Sequence, residues 1–475
     1  MRRLSPPLAR ALSLALLVTS SCSRSGSDPS STPGGTQATS AATEPASSAE
    51  GGPSSGDTCR DYADLDLARL PPLPDTPYTD TLDAVWRTIL LKHYDRTLGC
   101  VDWVAVRAEF GARLPEAKNE ADAYAMMSAM LGRLGQSHMA IVPPREPVAG
   151  EPRAAVKGGS ARAPVAVRVL GTEAVVVDAE IDGHRSGIPL GARVLTIDGQ
   201  AVQPLVDERL ANHPRAVEGT FAVRRVLEGW LSCPENGRKT IEYQAVGAAK
   251  PKVRKVKCYP VEAERVSLGH LKDVPVTVDH RMIEGTTIGY LSFNIWMIPM
   301  MARIEAALTE LRADGMTALV IDLRGNPGGV GAMVVPLGRL ILSEAASLGV
   351  MHMRDSEQAF NVAAGRDPFT GPIALLVDEG TASTSEIFAQ ALQDLDRVKV
   401  YGAVPSQGAA LPSVIEELPG GGILQFVVAD YQSPSGTAVE GKGVTPDVVV
   451  PETREDYARG HDPVLEAAVA DLGGS

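Results

Sequence analysis

The sequence is short of positive charge: 45 Lys and Arg stand against 58 Asp and Glu, a formal charge of −13, with no strong basic block to offset it. Phosphate groups are bound by clustered cations, so nucleic-acid and acidic-membrane partners are not expected. Long hydrophobic runs are also missing; the apolar stretch Ala11 to Val18 is too short to span a bilayer. Only five cysteines occur, and none has zinc-ligand spacing. The Gly-rich turn Arg324-Gly-Asn-Pro-Gly-Gly329 lacks the Lys and Ser/Thr of a P-loop and the spacing of a dinucleotide fingerprint. Neither a metal nor a cofactor is therefore expected. What is present, 475 residues of which 44% are hydrophobic, suffices for two or three domains with buried cores.

Met1-Arg-Arg-Leu followed by Ala11 to Val18 has the charged start and short apolar centre of an export signal. Its end, Val18-Thr-Ser-Ser-Cys22, resembles a bacterial lipoprotein cleavage box. That implies lipidation of Cys22 and a place in the cell envelope, periplasm or outer surface. Thr19 stands where leucine is usual, so ordinary secretory cleavage is the alternative. Residues 23–56 are almost entirely Ser, Gly, Thr, Ala and Pro, the composition of a flexible tether. With Cys22 set aside, Cys59, Cys100, Cys233 and Cys258 make an even set in an exported chain and predict two disulfides. Proximity favours Cys59 with Cys100 and Cys233 with Cys258, though three connectivities are open.

Hydrophobic periodicity divides the remainder. Residues 57–145 read as a helical domain, with Leu82, Val85, Trp86, Ile89 and Leu90 on one face and a Met- and Leu-rich helix from Ala123 to Leu134. That helix stops at Gly135, leaving Ser137 and His138 in a turn. Residues 146–162 read as a linker, and 163–260 as a small β-rich domain of short alternating strands. From 261 to 475 strands alternate with helices: Ile288 to Phe293, Ala302 to Ala313, Ala318 to Asp322, Ala332 to Leu342 and Ile373 to Val377. This pattern builds a mostly parallel sheet, and ligands in such sheets sit at the strands' carboxyl ends. Asp322 to Gly329 and Gly380 to Ser385 fall at such ends. Ser383 stands where a strand turns into the helix Glu386 to Leu392, where free backbone N–H groups suit a developing negative charge. A helix cap completed by Glu386 is the competing reading.

Several of these segments resemble the tail-specific, or C-terminal processing, serine peptidases and their tricorn-core relatives. The resemblance rests on Asp322-Leu-Arg-Gly-Asn-Pro-Gly-Gly329, Thr381-Ala-Ser-Thr-Ser-Glu386 and Val439-Glu-Gly-Lys-Gly-Val-Thr-Pro-Asp-Val448. It includes a segment upstream, Ser186 to Val202, similar to the core of a PDZ domain, a module that captures peptide C-termini by strand addition. No carboxylate-holding loop leads into Val165, so the PDZ-like fold is expected ahead of the binding activity. The resemblance implies a multidomain α/β fold with a crotonase/ClpP-like core and protein or peptide substrates. It makes Ser383 the nucleophile, and it gives the oxyanion hole to the Thr384 amide with that of Gly328 or Gly329.

One departure redirects the chemistry. Relatives with a Ser/Lys dyad carry the lysine downstream of the serine, yet Gly402 to Leu411 contains none. The tricorn-type members draw the base from a Ser-His pair in the helical domain and a Glu near the end of the core. Ser137-His138 and Glu440 match those contexts. His138 is then the base and Glu440 its orienting partner, directly or through Ser137, with Lys442 as the competing base. Asp322 and Arg324 are expected to form an ion pair or to meet a substrate carboxylate, and Asp447 to serve in a turn. The alternative function is a catalytically weak relative that binds peptides or apolar ligands.

Overall fold

The computed structural model describes residues 59–144, 161–261, 263–269 and 271–473. The expected signal, Cys22, the tether at 23–56 and most of the 146–162 linker lie outside these residues. Within the linker range, Ala161–Arg162 is a strand, paired antiparallel with Ser232–Cys233 and Tyr259–Pro260. Two residues have no periodicity to detect; backbone pairing where the chain enters and leaves the β-rich unit decides their conformation. The Cys233–Cys258 disulfide lies at the same place, and Cys59 pairs with Cys100.

The first three helices are α1 (Thr79–Lys92), α2 (Trp103–Arg113) and α3 (Glu120–Leu131). Asp102 and Asn119 cap α2 and α3 by accepting the amides of Ala105 and Asp122 at 3.0 and 2.9 Å. Trp86 and Trp103 each donate an indole N–H to the other's carbonyl, at 2.7 and 3.1 Å, so both rings are buried without an orphaned donor. After α3 a 3₁₀ turn reaches Leu134, and Gly135 takes φ +64°, ending the helix. The chain then forms β1 (Ala140–Val142).

The β-rich unit follows. Its strands are β2 (Ala166–Leu170), β3 (Glu173–Asp178) and β4 (Arg193–Ile197), then, after helices α4 (Val202–Asn212) and α5 (Ala216–Leu231), β5 (Arg238–Gln244) and β6 (Lys252–Lys257). They lie in the order β6-β5-β4-β3-β2. Edge strand β6 exposes Lys252, Lys255 and Lys257, a local basic cluster inside an acidic chain. Charged edges of this kind resist pairing with another strand.

The core sheet contains β7 (Val278–Met282), β8 (Ile288–Phe293), β9 (Ala318–Asp322), β10 (Ile373–Leu376), β11 (Lys399–Gly402) and a last short strand, Val448–Val449, in that spatial order. β7 is antiparallel to β8 and the other neighbours are parallel. β9 and β10 are buried throughout because both faces are covered. Leu319, Ile321 and Leu375 meet α6 (Met301–Ala313) and α8 (Thr384–Asp394), while Val320, Ala374 and Leu376 meet Val464 and Ala468 of the C-terminal helix. The helix expected at 332–342 is shorter, a 3₁₀ turn at Gly331–Met333 and then α7 (Val334–Arg339).

Antiparallel hairpins within residues 261–475 were not anticipated from the sequence, and one of them matters most. Ser413–Glu417 and Ile423–Val427 pair with each other, and β1 adds to the outer edge of the second strand. Leu418, Leu424 and Phe426 join the helical domain's apolar core. This hairpin fixes the Ser137-His138 turn against the core of the molecule. Among the described residues no helix is long and apolar enough to cross a membrane.

Candidate active site

β9 and β10 are adjacent and parallel, so the loops that leave them open on the same edge of the sheet. Asp378 Oδ1 laces the two loops together, accepting the amides of Gly325 at 2.7 Å and Gly380 at 2.8 Å. Ala382 N–H donates to Asn326 O at 3.1 Å, Thr381 Oγ1 to Leu323 O at 2.8 Å and Thr384 Oγ1 to Gly329 O at 2.9 Å. On this frame Ser383 is held at φ 56° and ψ −120°, a strained conformation for a residue with a Cβ. Its amide is shared between Ala409 O and Glu386 Oε2, both at 2.9 Å. Glu386 therefore makes the contact expected of a capping residue, on a turn too strained to be only a helix cap.

The glycine turn divides unequally. Gly328 donates its amide to Asn326 Oδ1 at 3.0 Å, so that N–H is committed. The amides of Gly329 and Thr384 carry no hydrogen bond among the described residues. Gly329 has φ +142°, and a Cβ there would lie 2.2 Å from Trp296 O, so only glycine fits.

The turn after α3 brings in Ser137 and His138. Ser137 donates its backbone N–H to Glu440 Oε1 at 3.0 Å and its hydroxyl to Glu440 Oε2 at 2.9 Å, and its Oγ lies 2.7 Å from His138 Nδ1. One hydroxyl has one proton. If it goes to the carboxylate, Ser137 Oγ accepts from His138, which places the ring proton on Nδ1 and leaves a lone pair on Nε2. Nε2 is buried and has no hydrogen-bond partner among the described residues, Ser383 Oγ included. Burial pushes His138 down to about 4, favouring the neutral ring. His138 also has positive φ, 57°. Glu440 is raised by burial, against the pull of the Ser137 and Ala410 amides.

The Ser383 and His138 arms meet over two consecutive residues. Ala409 O accepts from Ser383 N–H at 2.9 Å, and Ala410 N–H donates to Glu440 Oε2 at 2.8 Å. This segment is the one that holds no lysine. Lys442 is exposed. Arg324 pairs with Asp322 and Asp462, at 2.7 and 2.8 Å, and Asp447 accepts from Val400 N–H and Gln393, so both acidic turns are structural. Sequence reading missed buried His93, whose Nε2 lies 2.7 Å from Gln136 Oε1 and steadies the turn before Ser137. It also missed the buried cluster of Arg168 and Arg224 with Asp378, Glu379 and Glu452, which ties β2 and α5 to the residues just before Ser383. These contacts are too distant in the chain to show in any local pattern.

A strained serine between a parallel strand and a helix, flanked by open amides, is the arrangement of a serine-type hydrolase. Comparison with known proteins gives its kind. Residues 287–450 match peptidase family S41, and residues 74–132 match the tricorn protease C1 domain. The chain is 25% identical over 389 residues to the carboxyl-terminal-processing protease of Picosynechococcus sp., covering 81% of this chain and 86% of that one. It is 26% identical over 380 residues to the chloroplastic carboxyl-terminal-processing peptidase 2 of Arabidopsis thaliana, covering 78% and 68%. Its fold is similar to that of the photosystem II D1 C-terminal processing protease, with TM-score 0.53 at 22% identity over 84% of this chain and 98% of that one. Mature CPAF complexed with lactacystin gives TM-score 0.56 at 15% identity, covering 83% and 97%. The protein is a multidomain α/β serine peptidase whose core is similar to peptidase family S41 over residues 287–450, and its substrates are proteins or peptides.

Proposed function

We propose that the protein is an exported endopeptidase that cleaves by acyl transfer to Ser383, with His138, not a lysine, as the general base. The observation that carries this reading is the Ser137 bridge: a hydroxyl shared between Glu440 and His138 Nδ1 orients the ring with a bare, buried Nε2. Ser383 Oγ attacks the scissile carbonyl and passes its proton to Nε2. The tetrahedral oxyanion is received by the amides of Thr384 and Gly329, in preference to the committed Gly328. Its charge, formed beside the ring, offsets the desolvation that disfavours the imidazolium, and Glu440 stabilises that cation through Ser137. His138 then protonates the leaving amine, and a water repeats the cycle to release the acyl group. The named relatives process carboxyl termini, and we extend that substrate class to this chain.

Two disulfides fit an oxidising compartment and support export, with anchoring through Cys22 as the attachment. The β2–β6 unit with α5 is read as the PDZ-like module, a site for a peptide C-terminus. The test of the chemistry is labelling by a fluorophosphonate probe. Wild-type protein is labelled, while Ser383→Ala and His138→Ala are not; labelling unchanged in Ser383→Ala overturns the mechanism. A second reading, a ligand-binding relative with little turnover, is favoured by the missing bond between Nε2 and Ser383 Oγ, and it predicts an unlabelled wild type. Catalytic hydrogen bonds commonly tighten only when substrate binds, which favours the first.

A further inference from the structure

Glu386 lies three residues past Ser383, at the start of α8, with its side chain wholly inside the protein. Both carboxylate oxygens are fully used. Oε1 accepts Ser406 Oγ–H at 2.5 Å and Gly408 N–H at 2.6 Å; Oε2 accepts the amides of Ala409 and Ser383, each at 2.9 Å. Ser406 Oγ itself accepts Val444 N–H at 2.6 Å, which directs its single proton to Glu386. Four donors therefore converge on one carboxylate. A helix cap needs only one of them.

The other three partners lie on one segment, Ser406 to Ala409, which ends against Ala410. That next residue gives its amide to Glu440, the carboxylate behind Ser137 and His138. Two acidic side chains thus grip consecutive amides from opposite sides, Glu386 at Ala409 and Glu440 at Ala410. Each belongs to one arm of the site. The segment Ser406 to Ala410 therefore links the two arms.

We propose that Glu386 is a positioning residue for Ser383: by drawing the Ser383 amide and the 406–409 segment onto one carboxylate, it holds the strained serine turn at a fixed distance from the His138 arm. This rests on the reading of Ser383 as nucleophile. It also assigns the Ser383 amide to Glu386 and Ala409, so the amide of the nucleophile itself is withheld from the oxyanion and Thr384 supplies the donor instead. Buried carboxylates are costly, and desolvation pushes Glu386 up to about 7, with the four donors opposing that rise. A neutral residue at this position would remove that cost but would leave buried donors of Ser383 and of the 406–409 segment without an acceptor, so the acid is what gathers them at one point.

The test is the rate of fluorophosphonate labelling measured against probe concentration, which separates the maximal rate from the half-saturating concentration, for wild type, Glu386→Gln, Ser406→Ala and Ser383→Ala. The amide of Glu386→Gln keeps the shape but points N–H groups at incoming donors, so the serine turn shifts. In the folded variant the maximal rate should fall about 10²-fold, as small misplacements of reacting groups do, with half-saturation changed by less than about threefold. A maximal rate within twofold of wild type overturns the inference. If Glu386→Gln does not fold, Ser406→Ala decides, because it removes one of four donors: a loss of roughly tenfold in maximal rate supports the inference, and an unchanged rate overturns it. Ser383→Ala labelled at the wild-type rate would overturn the nucleophile itself, an outcome distinct from a wild-type rate in Glu386→Gln alone.

Discussion

Ser137 and Glu440 stand 303 positions apart in the chain, yet two hydrogen bonds join them, backbone amide to Oε1 at 3.0 Å and hydroxyl to Oε2 at 2.9 Å. Glu440 reaches His138 only through that hydroxyl. The direct and the relayed wiring were both open from sequence, and the hydrogen bonds run through the Ser137 hydroxyl, which supports the relay we propose.

A relay predicts non-additive losses. Ser137→Ala and Glu440→Gln should each lower kcat roughly 10²-fold or more with little change in KM, because either leaves the ring without its orienting chain. The double variant should be no worse than Ser137→Ala alone. Steady-state kinetics on a quenched peptide checks this; fully multiplicative losses would mean that the two residues act separately.

The tautomer is measurable. Long-range ¹H–¹⁵N spectra should show His138 protonated on Nδ1 and bare on Nε2, with no midpoint near the ordinary value of about 6.5. Because burial lowers its folded-state value to about 4, His138 contributes stability that is present above 6.5 and is lost as pH falls toward 4. Glu386 has the opposite sign: raised to about 7, it contributes stability present below the usual carboxylate range and lost as pH rises through 7. Urea midpoints should therefore show Glu386→Gln gaining on wild type between pH 5 and 7, by at most about 1.4 kcal/mol per pH unit. A constant difference across that range would contradict the assignment.

Gly329→Ala should remove activity. Its Cβ would sit 2.2 Å from Trp296 O, so the turn must move, and with it the amide offered to the oxyanion. Loss of one such donor lowers kcat about 10²–10³-fold. Retention of more than a tenth of wild-type kcat in a folded variant would shift the oxyanion donors elsewhere.

Arg168→Ala should destabilise the protein by about 3–5 kcal/mol, since it strands Glu379 and Glu452 in the interior. Urea denaturation measures this. A change below about 1 kcal/mol would mean that water or a rearranged Arg224 takes over the two carboxylates.

Much of the core was legible because local rules produce it. β9 is apolar end to end and stops at Asp322, Gly135 ends a helix in the left-handed region, and the strand-to-helix turn at Ser383 is written in small residues before an amphipathic helix. The cysteine pairing, with separations of 41 and 25 residues, is the one that proximity favoured among three open connectivities. The hairpin at 413–427 was not legible: Ser413–Glu417 is only partly buried, Ile423–Val427 is buried almost throughout, and Leu424 and Phe426 are covered by the helical domain, distant in sequence.

By itself the sequence determined the order of helical, β-rich and α/β parts, the strand ends at which two candidate loops open, and the absence of a lysine where a nearby base would stand. Tertiary structure alone decided which glycine amide is free, which side chain lies between Glu440 and His138, and how the histidine's turn is carried to the serine's sheet edge by the pairing of Ala140–Val142 with Ile423–Val427. The physical reason is range. Strands, helices and turns are set by neighbours a few residues away, whereas a hydrogen bond forms only within about 3 Å, and only the packed chain brings residues 303 positions apart to that distance.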